Sequence, residues 1–102
     1  MKLLSNQRKF LEALANKISP VVRIGKQGLE AKIVSSVNEA FNCQELIKIK
    51  ILDSSPATAE EVAEAAVNGS GAILVRIIGR VIILYRPFKD KPRKIALPPE
   101  KK

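Results

Sequence analysis

Val21-Val22-Arg23-Ile24-Gly25-Lys26-Gln27-Gly28-Leu29 changes character twice within a few positions, and the order of those changes decides the fold. Pro20 disfavours helical geometry at Ser19, and the β-branched run behind it reads as a short strand. Gly25 and Gly28 bracket a tight loop. From Leu29 onward Ile33, Val34, Val37, Ala40 and Phe41 recur with helical period, which predicts a helix over about 29–42. Strand, glycine loop and helix in that order open a β-α-β unit.

Upstream, Phe10, Leu11, Leu14 and Ile18 fall within one arc, predicting a first helix over about 6–17. Ser5 is placed to cap it, and Arg8, Lys9, Glu12 and Asn16 fall on the other side. Downstream, Leu46 to Leu52 alternates, with Ile47, Ile49 and Ile51 on one face and Lys48 and Lys50 on the other. One face of that strand is too polar for core. Thr58-Ala59-Glu60-Glu61 has capping-box spacing and opens a third helix expected to end near Asn68-Gly69. Ala72 to Ile78 and Val81 to Tyr85 read as strands joined by Gly79-Arg80, with glycine first as a type II′ hairpin requires. The expected fold is α/β (α+β), in the order α-β-α-β-α-β-β, with helices packed on a four-stranded mixed sheet. Right-handed crossovers make the first three strands parallel. Their ends then place the Gly25–Gly28 loop, the Asp53–Pro56 connection and the Gly79-Arg80 tip on one rim, with Arg86 on the opposite rim.

The 102 residues suit one domain over 1–87, followed by an 88–102 tail that is basic and proline-rich. Four prolines beyond Arg86 (Pro87, Pro92, Pro98, Pro99) and mixed charge predict that this tail is extended and partly disordered. The 46% apolar content argues for a packed core. The first residues lack the continuous apolar stretch of a secretory signal, and no run could span a bilayer, so the expectation is a cytoplasmic monomer. With no His, and with Cys43 alone, neither a zinc finger nor a Cys/His catalytic pair can be assembled. No catalytic constellation is present, and the reading is of a protein without enzyme activity, cofactor or small-molecule substrate.

The net charge is +8, and its placement is uneven. Residues 1–28 carry six Lys/Arg and one acid, residues 29–85 five and seven, and residues 86–102 seven and two. Two basic ends attract polyanions, which admits RNA binding and equally admits a basic protein-docking module or an anionic membrane surface. The Gly25-Lys26-Gln27-Gly28 loop tips the balance toward RNA. Neither glycine presents a Cβ, a helix start adds partial positive charge, and Lys26 and Arg23 supply full charges to a phosphate. Arg80 joins them if the rim is as expected, with Arg8, Lys9, Lys32 and Arg86 as the surrounding basic surface. The loop matches neither a Walker motif nor a dinucleotide fingerprint. Lys48, Lys50 and Arg76 share one parity and read as a solvated or helix-flanked face. Tyr85 reads as core, and with aromatics at 4% of the chain, binding is expected to be led by the RNA backbone.

Four blocks together resemble a known family: Ile18 to Leu29, Glu45-Leu46-Ile47-Lys48-Ile49-Lys50, Ile78-Gly79-Arg80, and Leu84-Tyr85-Arg86-Pro87. They are similar to the YhbY-like, or CRM (chloroplast RNA splicing and ribosome maturation), RNA-binding domain, over about residues 3–87. The resemblance implies a fold like the C-terminal domain of bacterial translation initiation factor three. It also implies association with precursors of the large ribosomal subunit, through ribosomal RNA. The family's RNA-gripping loop falls on Gly25, Lys26, Gln27 and Gly28, and its basic hairpin residue on Arg80. The chain departs from the family pattern at Asn16, where members often have His, and at Arg76, where many have Gln.

Overall fold

A computed structural model describes residues 2–99. The elements are α1 (Ser5–Ala15), β1 (Val22–Ile24), α2 (Ala31–Phe41), β2 (Leu46–Ile51), α3 (Ala59–Ser70), β3 (Ile73–Ile78) and β4 (Val81–Tyr85). The sheet order is β1-β2-β4-β3. β1 and β2 are parallel, while β4 runs antiparallel to both β2 and β3. Strands β1, β2 and β3 therefore all point the same way, and their C-terminal ends share one rim as expected.

Two cores follow from the alternation along β2 and β4. Ile47, Ile49, Ile51, Ile82 and Leu84 face α2 and α3, and are buried against Val37, Phe41, Val62 and Ala66. The other parity contributes Leu46, Ile83 and Tyr85, which with Val75 are buried under Leu11 and Ala15 of α1. The polar face expected on β2 is thus only half true. Leu46 is buried, and the ammonium of Lys48 donates to the carbonyls of Ala15 (3.0 Å) and Ile18 (3.1 Å). The Ala15 carbonyl also accepts from Ile18 N at 3.2 Å, and a cation at this point complements the dipole at the end of α1. Lys50 alone of the three is exposed.

Helix α1 is rotated from the expected arc. Phe10 is an exposed residue, and Arg8 turns toward the sheet instead. The cause lies in β3, where the register against β4 slips between Leu74 and Arg76. A bulge leaves carbonyls without ladder partners, and Arg8 Nη1 donates to Leu74 O (2.8 Å) and to Val75 O. Glu12 follows on the same side and pairs with Arg76 at 2.8 Å. Ser5 does not cap α1: the N-cap position is Leu4, whose N–H donates to the Gln7 side chain at 3.0 Å.

Helix α3 opens with the expected reciprocal box. Thr58 Oγ1 accepts from Glu61 N, and Glu61 Oε1 accepts from Thr58 N, both at 3.2 Å. It runs past the expected stop to a left-handed cap at Gly71, with φ of 75°. Gly69 lies inside the helix, where a Cβ would collide with Val34 Cγ1 of α2. Glycine at this point permits close helix approach at the expense of helix propensity. Alanine there gains about 1 kcal/mol of propensity but overpacks a contact at a cost of about 1–3 kcal/mol. We expect Gly69→Ala to destabilise wild type and to stabilise a Val34→Ala background. Denaturant unfolding of the four proteins measures that reversal of sign.

The segment after β4 is not a free tail. The buried carboxylate of Glu45 accepts from the backbone N–H groups of Phe88 (2.8 Å), Lys94 (2.6 Å) and Ile95 (2.8 Å). Ile95 and Leu97 pack on the α1 side of the sheet. Asn6 and Gln7 side chains then donate to the carbonyls of Pro99 and Pro98. Residues 88–99 are folded back as a clasp, while Glu100, Lys101 and Lys102 of the expected tail lie outside the described residues. Beside Glu45, burial pushes the Tyr85 phenol up, the Glu45 charge adds to this, and Arg93 opposes it. Tyr85 is core, fully buried.

Candidate nucleic-acid interface

The glycine loop is a hydrogen-bonded turn, closed by Gly28 N donating to Gly25 O at 2.9 Å. That closure places Lys26 and Gln27 at the exposed tip. Gly28 has φ of 67°, a conformation that costs an L side chain about 1–2 kcal/mol. It is also buried, and a Cβ there would stand 3.1 Å from Pro56 Cγ. The second glycine therefore seats the loop on the β2–α3 connection and does not itself face outward. The loop also stops short of its helix: α2 starts at Ala31, and Glu30 occupies the N-cap position. The Glu30 carboxylate lies 3.5 Å from Lys32 Nζ, so the positive helix start expected at the loop is partly offset by an acid.

What the turn gathers is side-chain charge. Arg23, Gly25, Lys26, Gln27, Gly28 and Lys32 line one open depression of about 210 Å³, shared with Glu30 and Ile33. Three cations against one acid leave it positive. Further along the rim Arg80 O accepts from Ile51 N at 2.8 Å, which ties the hairpin tip to β2. The Arg80 guanidinium reaches Leu52 O at 3.4 Å and the exposed Asp53 carboxylate at 3.6 Å. Pro56 stands between, touching the Gly28 position on one side and lining the hollow beside Arg80 on the other.

Three of the cations read from the sequence are not brought to this rim. Arg8 is engaged with the bulge carbonyls of β3. Lys9 is exposed on α1. Arg86 is at the far end of β4, where it donates to Asn38 Oδ1 (3.0 Å) and Ser70 O (2.8 Å) and lies over the Phe41 ring. It joins the C-terminal ends of α2 and α3, where a cation is favoured by both dipoles. Lys50, which the sequence left undecided, is the cross-strand neighbour of Arg23. The signal for it was present in the parity of β2, but only the register of β1 could attach it to the loop. Among the described residues no group of His, Cys, Asp or Glu is arranged to hold a metal ion.

The helices and four-stranded mixed sheet are those of a known class of domain. The CRS1 / YhbY (CRM) domain matches residues 3–86, and the chain belongs to that family. It is 35% identical over 96 residues to the Probable RNA-binding protein YqeI of Bacillus subtilis, covering 94% of this chain and 99% of the relative. An RNA-binding protein of Haemophilus influenzae is likewise 35% identical over 96 residues, covering 94% and 95%. The solution structure of SAV1595 from Staphylococcus aureus superposes with a TM-score of 0.73 at 30% identity, covering 95% of this chain and all of that one.

Proposed function

We propose that this chain is an RNA-binding protein that grips a phosphate backbone at the Gly25–Gly28 rim, without enzyme activity or a cofactor. The observation that carries the reading is the convergence of Arg23, Lys26 and Lys32 on one turn, with Arg80 on the same rim. Gly28 and Pro56 hold the turn, and the exposed cations reach for phosphate oxygens. The names of the relatives support RNA as the partner. The RNA is ribosomal, in precursors of the large subunit, and the protein acts on it as a monomer in the cytoplasm.

A backbone-led grip has a defined salt signature. Each single-strand phosphate neutralised contributes about 0.7 to the slope of log affinity against log salt, so four cations give a slope of roughly −3. Titrating a labelled ribosomal RNA fragment at several salt concentrations tests this, and a flat dependence removes the backbone grip. Crosslinking in the host followed by sequencing tests the ribosomal assignment. Fragments concentrated in large-subunit precursors support it, and fragments spread over messenger RNA exclude it.

A further inference from the structure

Helix α1 covers only part of its face of the sheet. Its contacts run from Lys48 of β2 to the Leu74–Arg76 bulge of β3. Toward the loop rim the same face is open, and the strand register lays a row across it. Arg23 pairs with Lys50, Lys50 with Val81, and Val81 with Ile78. All four lie on the parity opposite the core of Ile24, Ile49, Ile51 and Ile82. At strand spacing the row spans about 14 Å.

Its composition is two cations followed by two aliphatics. Arg23 and Lys50 are exposed, and among the described residues neither has an ion-pair partner. Like charges set side by side across strands oppose folding, and among the described residues no carboxylate pairs with either. Ile78 is 48% exposed, the most open large aliphatic among the described residues, and Val81 beside it is half-buried. Arg76 and Arg80 flank the aliphatic end, but both have carboxylate partners. The cationic end is continuous with the loop depression through Arg23.

We infer that this open half-face is the track of an unpaired RNA segment leaving the loop, with Arg23 and Lys50 on its phosphates and Val81 and Ile78 against its bases. The inference rests on the RNA-binding reading of the rim. It commits to single-stranded RNA because a duplex keeps its base faces stacked inside and would present only phosphates, leaving the aliphatic end unused. An unstacked base instead offers an apolar face to Ile78. The track thus distinguishes single strands from duplexes, which the loop's cations alone do not.

The test uses the full chain with a labelled single-stranded oligoribonucleotide and with the same strand annealed into a blunt duplex. Variants are Lys50→Ala, Ile78→Ala, Lys26→Ala and, as an exposed cation just after α1 with no part in the track or the loop, Lys17→Ala; thermal unfolding checks each. Lys50→Ala is expected to weaken single-strand binding about three- to tenfold. Ile78→Ala is expected to weaken it roughly fivefold with duplex binding unchanged, the scale of two or three methylenes partly buried. Lys17→Ala stays near wild type. Because Ile78 carries no charge, loss at Lys50 without loss at Ile78 overturns the track and reduces the face to diffuse attraction. Track variants that bind like wild type while Lys26→Ala weakens also overturn it, and leave the loop standing. Loss in the track variants with none in Lys26→Ala keeps the track and removes the loop. A wild-type chain that binds neither probe removes both.

Discussion

Glu45→Ala is expected to lower stability by about 2–4 kcal/mol and to open residues 88–99 to proteolysis. Glu45 is 2% exposed, and its carboxylate holds three backbone N–H groups. Hydrogen bonds to a charged acceptor contribute about 1.5–3 kcal/mol each. The loss stops short of their sum, because the freed N–H groups find water once the segment lifts. Undocking also exposes the side chains beneath Ile95 and Leu97. Glu45→Gln separates charge from shape: its amide retains one acceptor oxygen, so an intermediate loss is expected. Chemical denaturation gives the stabilities, and limited proteolysis with mass spectrometry finds the cut sites. A Glu45→Ala protein as stable and as resistant as wild type would show that the clasp adds nothing to the fold.

That clasp also marks the boundary of what the sequence makes legible. Signals that act over a few residues are readable: the Thr58/Glu61 box, the Gly79-Arg80 turn, and the alternation of Ile47, Ile49 and Ile51 all occur where expected. The shared rim is readable too, because the handedness of crossovers is general. What fails depends on partners distant in the chain. Glu45 looks like any acid before a strand until the backbone of Phe88 and Ile95 arrives beside it. Arg8 belongs to the polar side of α1 by period, and turns inward only because a bulge in β3 offers carbonyls to it. Gly69 reads as a helix stop, yet Val34 of another helix explains it. At the site, the loop and its cations are legible as a motif. The same residues do not tell that Gly28 faces Pro56, or that Glu30 separates the loop from α2.

The double charge reversal Arg23→Glu/Lys26→Glu is expected to cut RNA affinity by about 100-fold or more while leaving thermal unfolding nearly unchanged. Each substitution removes one phosphate contact and adds a repulsion, so four charge units are lost from one depression. At about tenfold per lost contact before repulsion, two contacts reach that scale. Stability is spared because both side chains are exposed and, among the described residues, neither has an ion-pair partner. A glutamate at position 23 would also stand beside Lys50, relieving a like-charge neighbour. Gly28→Asp makes the instructive contrast. The left-handed φ and the 3.1 Å approach to Pro56 mean that this change strains the loop's seat, and α2 begins too far on for the new carboxylate to cap it. Its weaker binding should therefore come with a lower melting temperature, whereas the double reversal loses binding alone. Affinity measured beside thermal unfolding separates the two. If the double reversal binds RNA within threefold of wild type, the rim's cations are only a solvated surface and the grip lies elsewhere on the chain.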